Sequence, residues 1–289
     1  MAANEKLQFP LVDSSYDNAE ILSCISTLLS GQLTMGAQVR RFEQEFARHC
    51  TAPHAVMVNS GSSANLLAMS ALTNPLRSKH LKRGDKVGVP AVCWSTSVWP
   101  IVQTGLVPVL IDVDPLTLNM SVAALKATLK QHELKALMMV HVLGNSTEMG
   151  ELLAIAAEED LLLVEDTCES LGTTYEGRAL GSIGTFGTFS FYFSHHMTTI
   201  EGGMVLARTE EDYDLLKCLR AHGWSREQSN REALERENSH IDPRFLFVNV
   251  GYNLRPMEIQ AAFGLEQLRR LDTMNAHRRS NVARIRAAF

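Results

Sequence analysis

Residues 136–170 read ALMMVHVLGNSTEMGELLAIAAEEDLLLVEDTCES, and this stretch decides the fold class. Two apolar runs, residues 136–142 and 161–165, carry almost no polar side chains, which is typical of strands covered on both faces. Residues 149–158 between them have apolar side chains at helical spacing. A strand, a helix and a second strand in this order predict a parallel strand pair within an α/β domain.

The same alternation continues on both sides of this stretch. Further strands are predicted at residues 55–58, 86–90, 107–113, 188–193 and 204–207. Helices are predicted at residues 18–29, 37–48, 62–72, 120–130, 210–220, 256–271 and 275–288. Residues 225–243 are polar and strongly charged, and we expect an exposed excursion there. The whole pattern predicts an α/β fold with a mostly parallel, mixed sheet between helices, and ligands in such sheets bind at the carboxyl ends of the strands.

The composition excludes several classes of protein. The chain has 289 residues and a net charge of −5, so it has no basic excess for a nucleic-acid surface. Its longest apolar runs are too short to span a bilayer, and its first residues do not resemble a secretory signal. Five widely spaced cysteines, without a C-x-x-C pair, indicate free thiols in a reducing compartment, the cytoplasm, rather than disulfides or a zinc site.

Residues 59–65, NSGSSAN, follow a predicted strand and open a predicted helix. The free amides at a helix start, with nearby hydroxyls and a glycine, favour a phosphate group. On this motif alone, a plain helix cap accounts for the same residues somewhat better. The motif lacks the G-K-[ST] ending of a nucleotide-binding P-loop.

Acidic and aromatic side chains follow two other strands. Asp166 is well placed to hold a cationic ring nitrogen or a metal, or it is a capping carboxylate. Trp94 is either a core residue or a ring that stacks on a flat cofactor. His195 and His196 are adjacent in an extended segment and point to opposite faces, so we do not expect them to share a metal.

Two glycine patterns carry less information on their own. Gly181, Gly184 and Gly187 match a dinucleotide-binding spacing but precede a strand, so we reject that interpretation. Residues 251–256, GYNLRP, indicate only a loop and a helix cap.

Taken together, these segments resemble the DegT/DnrJ/EryC1/StrS group of nucleotide-sugar aminotransferases, which are fold-type I pyridoxal-phosphate enzymes with an aspartate-aminotransferase-like large domain. The resemblance covers residues 9–289. It rests on residues 60–63, 89–90, 141–145, 165–166, 189–191, 201–203 and 251–255.

One position departs from the pattern of the aminotransferases in this family. There a lysine six residues before the Glu-Gly-Gly forms the Schiff base with the cofactor, but here that position is His195. No lysine occurs between Lys135 and Lys217. Residues 194–203, with residues 34–36, 163–170 and 220–224, resemble the histidine-bearing branch of the family, the sugar 3-dehydratases. The alternatives are a nucleotide-sugar aminotransferase and a catalytically silent homologue that binds the cofactor.

The resemblance implies a role for each matching residue, with pyridoxal phosphate or pyridoxamine phosphate as the cofactor and no iron–sulfur cluster. His195 is expected to be the catalytic base, and Asp166 to hold the ring nitrogen. The expected cofactor-binding residues are Gly61, Ser62, Ser63, Trp94, Asp166, Glu169, Ser190, His195 and, toward the other subunit, Asn253. Weaker substrate candidates are His222 and Arg220. No metal site is expected.

The resemblance also implies partners and an organisation. The expected reaction is C3 deoxygenation of a nucleotide-linked 4-keto-6-deoxy sugar, GDP-4-keto-6-deoxymannose, in the synthesis of deoxysugars for polysaccharides. L-glutamate is the expected amino donor, and a homodimer with shared active sites is the expected assembly. Residues 1–30 are predicted to be an N-terminal arm and helix, residues 31–255 the cofactor-binding large domain, and residues 256–289 helices leading toward a small C-terminal domain that is mostly absent or truncated.

Overall fold

The computed structural model describes residues 15–289, so the first part of the predicted arm lies outside the described residues. The main strands are β1 (His54–Val58), β2 (Lys86–Pro90), β3 (Val107–Ile111), β4 (Leu134–Val140) and β5 (Leu162–Asp166). A short hairpin of β6 (Thr174–Tyr175) and β7 (Arg178–Ala179) precedes β8 (Phe186–Ser190) and β9 (Gly203–Ala207). The helices are α1 (Asn18–Leu29), α2 (Ala37–His49), α3 (Gly61–Leu72), α4 (Ser95–Gln103), α5 (Val122–Leu129), α6 (Met149–Glu158), α7 (Glu210–Arg220), α8 (Arg231–Glu237) and α9 (Glu258–Ala288).

Seven strands form one mixed sheet in the order β1-β9-β8-β5-β4-β2-β3. Strands β8, β5, β4, β2 and β3 pair in parallel, whereas β9 runs antiparallel to both β8 and β1. Within the described residues, β9 is therefore the one strand of this sheet that opposes the others. This arrangement confirms the predicted mostly parallel, mixed sheet.

Both faces of the sheet are covered by helices. In β4, Ala136 and Met138 pack into a core with α3 and α7, while Leu137 and Met139 pack on the opposite face with α6. A third cluster joins α2 and α9 to β1 and β9 around a group of phenylalanine rings, Phe42, Phe46, Phe189 and Phe191. Burial on both faces explains why the strands read as continuous apolar runs.

Several predicted bounds differ from the structure. Strand β8 ends at Ser190 rather than at residue 193, because the chain leaves the sheet there. The two predicted C-terminal helices are one continuous helix, α9, since burial of Leu271 and Asn275 outweighs the weak helix propensity of residues 272–273. Helix α4, which contains Pro100, was not predicted, and α8 lies within the predicted excursion.

No helix among the described residues is long and apolar enough to cross a bilayer.

Candidate active site

A cavity of about 410 Å³ opens at the carboxyl edge of the sheet. Because β1, β2, β4, β5 and β8 run in one direction, their carboxyl ends meet at this edge, and antiparallel β9 begins there. The residues lining the cavity therefore come from loops that follow different strands. Seven residues of the predicted site line it: Gly61, Ser62, Trp94, Asp166, Glu169, Ser190 and His195.

One side of the cavity is formed by the N-terminus of α3. Ser60 caps this helix by accepting a hydrogen bond from the Ser63 amide at 3.1 Å, and its hydroxyl lies 2.9 Å from the Ser63 hydroxyl. Helix geometry leaves the amides of Gly61 and Ser62 without intrahelical acceptors. These amides and the hydroxyls of Ser62 and Ser190 form a set of donors suited to a phosphate.

Two glycines bring backbone segments together at this point. A Cβ at Gly61 would lie 2.4 Å from the Cβ of Ser190, and a Cβ at Gly203 would lie 2.4 Å from the carbonyl oxygen of Ser60. Side chains at either position would force the phosphate-binding loop away from β8 and β9. This contact gives a physical reason for the glycines in the two motifs.

A second side of the cavity carries the Asp166 carboxylate at the end of β5. Its Oδ2 accepts hydrogen bonds from Asn65 Nδ2 at 2.9 Å and Ser97 Oγ at 2.8 Å. Its Oδ1 accepts one from the Cys168 amide at 3.2 Å. These three donors fix the carboxylate at the cavity wall, where it can face a cationic group.

His195 lines the cavity on the loop between β8 and β9. Burial lowers the pKa of its imidazole below the ordinary value, and the nearby charges of Glu169 and Asp166 partly oppose that shift. This shift favours the neutral ring, the form that can accept a proton. His196 does not line the cavity; burial, with Arg278 and His195 nearby, lowers its pKa to about 4.

Glu169 connects the cavity to a strained loop. Its Oε2 accepts a hydrogen bond at 2.8 Å from the amide of Leu143, a residue with a positive φ of 54°. Left-handed backbone is unfavourable for leucine, so this contact helps to hold the turn after β4. Trp94, at 73% exposure, presents an open ring at the mouth of the cavity.

The carboxylate beside Asp166, that of Glu165, has a structural role. It is buried, accepts hydrogen bonds from the amides of Gly181, Ile183 and Gly184 at 2.6–2.8 Å, and lies 3.2 Å from His141 Nε2. Burial acts to raise the pKa of Glu165, but the contacts with His141 and the amides outweigh it and lower the pKa. The segment from Gly181 to Gly184 thus surrounds this carboxylate with backbone amides.

We expect Glu165→Gln to destabilise the protein by about 3 kcal/mol. The variant would remove the buried carboxylate beside His141, and the side-chain NH2 group of the glutamine would face backbone amides that also donate. Chemical unfolding at pH 7 measures this loss. Glu151→Gln, which affects only an exposed ion pair with Lys126, is the matched control and should cost under about 1 kcal/mol. Equal stability of the two variants would contradict the role assigned to Glu165.

Four predicted site residues do not line the cavity. Ser63 lies in the first turn of α3, where its amide donates to the Ser60 cap, and Asn253 is exposed and accepts a hydrogen bond from Arg255 at 2.9 Å. His222 packs nearly perpendicular to the Trp224 ring, with centroids 5.4 Å apart. The structure thus places these three residues outside the cavity of this chain.

Arg220 lies in the protein core. Its guanidinium pairs with Glu43 at 2.6 Å and Glu227 at 2.9 Å, and donates to the Met57 carbonyl at 2.8 Å. Its nearly complete burial favours a structural role over contact with a substrate.

Sequence reasoning gave no role to several residues of the cavity. Asn65 lies within the quoted NSGSSAN motif, four residues after Gly61, and that helical spacing was a usable signal. Ser97 is on the helix that was not predicted, so its contact with Asp166 had no signal. The other lining residues without a predicted role are Ser60, Thr96, Val140, Cys168, Tyr192, Ser194 and Glu201.

No cluster of three or more histidine, cysteine or acidic side chains suited to a metal occurs within residues 15–289. All five cysteines are free thiols.

Comparison with known proteins gives consistent results. The sequence profile of the DegT/DnrJ/EryC1/StrS aminotransferase family matches residues 14–289. A curated relative, GDP-4-keto-6-deoxy-D-mannose 3-dehydratase of Escherichia coli O55:H7, is 40% identical over 277 residues, which are 95% of this chain and 71% of the relative.

Solved structures of such enzymes also match. The E. coli GDP-4-keto-6-deoxy-D-mannose-3-dehydratase with bound hydrated PLP superposes with a TM-score of 0.91 at 39% identity, covering 96% of this chain and 72% of that one. A GDP-4-keto-6-deoxymannose-3-dehydratase with a trapped PLP-glutamate geminal diamine gives a TM-score of 0.85 at 40% identity, covering 92% of this chain and 69% of that one.

Proposed function

The chain belongs to the DegT/DnrJ/EryC1/StrS aminotransferase family, and on this premise we propose that it is a nucleotide-sugar 3-dehydratase that removes the C3 hydroxyl of a 4-keto-6-deoxyhexose. The observation that carries this proposal is His195 in the cavity where the family's aminotransferases have a lysine. The substrate named for the relative, GDP-4-keto-6-deoxymannose, is the one we propose here.

The cavity residues fit pyridoxal phosphate in the chemistry of their donors. The α3 amides with Ser62 and Ser190 match a phosphate, the fixed Asp166 carboxylate matches a protonated ring nitrogen, and the open Trp94 ring matches a flat aromatic ring. When bound in its pyridoxamine form, the cofactor supplies an amine for the sugar ketone and a ring that accepts electrons. Asp166 would keep the ring nitrogen protonated, and Glu169 would lie beside the ring.

His195 would act as the base. An unprotonated imidazole nitrogen takes a proton, and the lowered pKa keeps that nitrogen free at neutral pH. Unlike a lysine, a histidine cannot join the cofactor covalently through an amine. No lysine lies between residues 135 and 217 to take over that role, so elimination of the C3 hydroxyl can compete with transamination.

The proposed reaction balances with glutamate as the donor. The C3–O bond breaks and the hydroxyl leaves as water, while the amine nitrogen is released as ammonia by hydrolysis. Two electrons come from glutamate, which becomes 2-oxoglutarate. The sugar product is a 4-keto-3,6-dideoxyhexose.

A homodimer would complete the site. Asn253 is exposed and lies outside the cavity of its own subunit, as expected for a side chain that binds the phosphate in a partner's site. The five free thiols favour a reducing compartment, and we place the enzyme in the cytoplasm.

Mass spectrometry of the sugar product tests the function directly. The reaction contains the protein, pyridoxal phosphate, L-glutamate and GDP-4-keto-6-deoxymannose, and we expect a product that has lost one oxygen atom, with ammonia released. A product with a new amino group would show an aminotransferase instead. Unchanged substrate, together with an absorbance spectrum that shows bound cofactor, would indicate a catalytically silent homologue.

A further inference from the structure

The loop that carries His195 runs between β8 and β9 and is held by side chains of α9. Gln260 Nε2 donates to the Glu201 carbonyl at 2.7 Å, and Gln267 Oε1 accepts from the Thr198 amide at 3.2 Å. Arg278 donates to the His196 carbonyl at 3.0 Å. Three groups of the loop backbone therefore bind to one helix.

These three side chains form a single stripe along α9. Gln267 lies seven residues after Gln260, which is about two helical turns. Arg278 lies eighteen residues after Gln260, which is about five turns at roughly 3.6 residues per turn. Between them, Gly264 allows a close approach, because a Cβ there would lie 2.8 Å from Cγ2 of Thr199. The helix is thus in contact with the loop along several turns.

The stripe is built on a fixed base. Gln267 is buried and its Nε2 also donates to Glu20 Oε1 at 2.7 Å and to the Ser15 carbonyl at 2.8 Å. Glu258, in the first turn of α9, accepts from the amide of Gly36 at 2.7 Å at the start of α2. Both contacts anchor the helix to the N-terminal part of the fold.

The His195 ring depends on its backbone for its position. Within residues 15–289, no protein side chain hydrogen-bonds to the ring, and its aromatic neighbour Tyr192 lies on the same loop, with ring centroids 6.2 Å apart. The His195 amide donates to the Tyr192 carbonyl at 3.0 Å, which is also a contact within the loop. The contacts that fix the loop backbone therefore also fix the position of the His195 ring.

We propose that Gln260, Gln267 and Arg278 are positioning residues that set the placement of His195 by fixing the backbone of residues 196–201. This inference rests on the proposed function for its kinetic part, whereas its structural part stands on the contacts alone. Displacing a reacting group by about 1 Å can cost up to about 100-fold in rate, so a partial release of the loop should lower kcat measurably.

Two variants each remove one donor to the loop. Gln260→Glu keeps the oxygen that accepts from the Met257 amide at 2.8 Å but loses the donor to Glu201. Arg278→Ala removes an exposed side chain that donates to the His196 carbonyl and, at 3.0 Å, to Asn275 Oδ1 within α9. Arg279→Ala, at an exposed neighbouring position on α9, is the matched control, and Arg278→Lys tests rescue by a shorter donor.

Hydrogen exchange by mass spectrometry and steady-state kinetics read out the result. In the cofactor-free protein, Gln260→Glu and Arg278→Ala should speed exchange in residues 194–203 and leave residues 59–66 unchanged. The kcat should fall about tenfold in each, with KM and cofactor affinity within about twofold, and Arg278→Lys should recover part of the kcat.

The outcomes separate this proposal from the proposed function. Exchange and kcat equal to those of Arg279→Ala would overturn the positioning role, as would a loss of cofactor affinity with faster exchange over the whole chain. If the wild-type chain does not eliminate the hydroxyl, the proposed function fails, but exchange in residues 194–203 still decides whether α9 holds the loop.

Discussion

His195→Asn is expected to lower kcat for loss of the C3 hydroxyl by about 1,000-fold, because the variant has no group that can take up the proton. Asparagine fills only part of the space of the ring, and within residues 15–289 the ring makes no hydrogen bond that supports the fold. Cofactor binding and stability should therefore stay near the wild-type values. Product formation by mass spectrometry and cofactor absorbance measure the two effects separately.

The pH dependence gives this prediction a second readout. A base must be unprotonated to work, so the kcat/KM of the wild-type chain should fall as the pH drops through the pKa of His195. Burial places that pKa below the ordinary value of about 6.5. His240→Asn, at an exposed site, should keep this acid limb, and His195→Asn should lose it. Retention of the limb and of most of the activity in His195→Asn would show that another group is the base.

Asp166→Ala has the second large expected effect, a fall in kcat of about 300-fold. The carboxylate is the negative charge fixed by Asn65, Ser97 and the Cys168 amide at the cavity wall, and without it the bound ring would lose its protonated nitrogen. Cofactor affinity should fall as well. Absorbance titration with pyridoxal phosphate and the product assay measure both.

Ser97→Ala is the control for this second prediction. It keeps the carboxylate and removes one donor, so we expect less than about a tenfold loss of kcat. A loss in Ser97→Ala as large as that in Asp166→Ala would mean that the whole network, rather than the charge, is required. Activity of Asp166→Ala within tenfold of wild type would remove Asp166 from the proposed mechanism.

The sequence predicted those parts of the fold that depend on local pattern. Continuous apolar runs identify strands covered on both faces, and polar residues directly after them mark the carboxyl edge of a parallel sheet. Gly61 and Asp166, far apart in the chain, follow two such runs, whereas Ser190 was expected at the same site because of the family resemblance; all three line one cavity.

Features that depend on tertiary contacts were not predictable in this way. The continuity of α9 follows from burial of Leu271 and Asn275, which no local propensity reveals. The same is true of Glu165, whose partners come from a loop sixteen or more residues later. The family resemblance singled out Arg220, but the sequence did not indicate that this side chain is buried beside Glu43. The role of Asn253 involves a second subunit and stays a prediction.

The antiparallel course of β9 has a consequence for how this site can change in evolution. The chain leaves the sheet at Ser190 and re-enters at Gly203 on the same edge, so His195 lies outside the paired residues of β8 and β9. An exchange at position 195 alters the reactive group without altering strand pairing. A substitution at position 195 can therefore change the reaction while the folding stability stays nearly constant. The chemistry of this site can evolve separately from the stability of the fold.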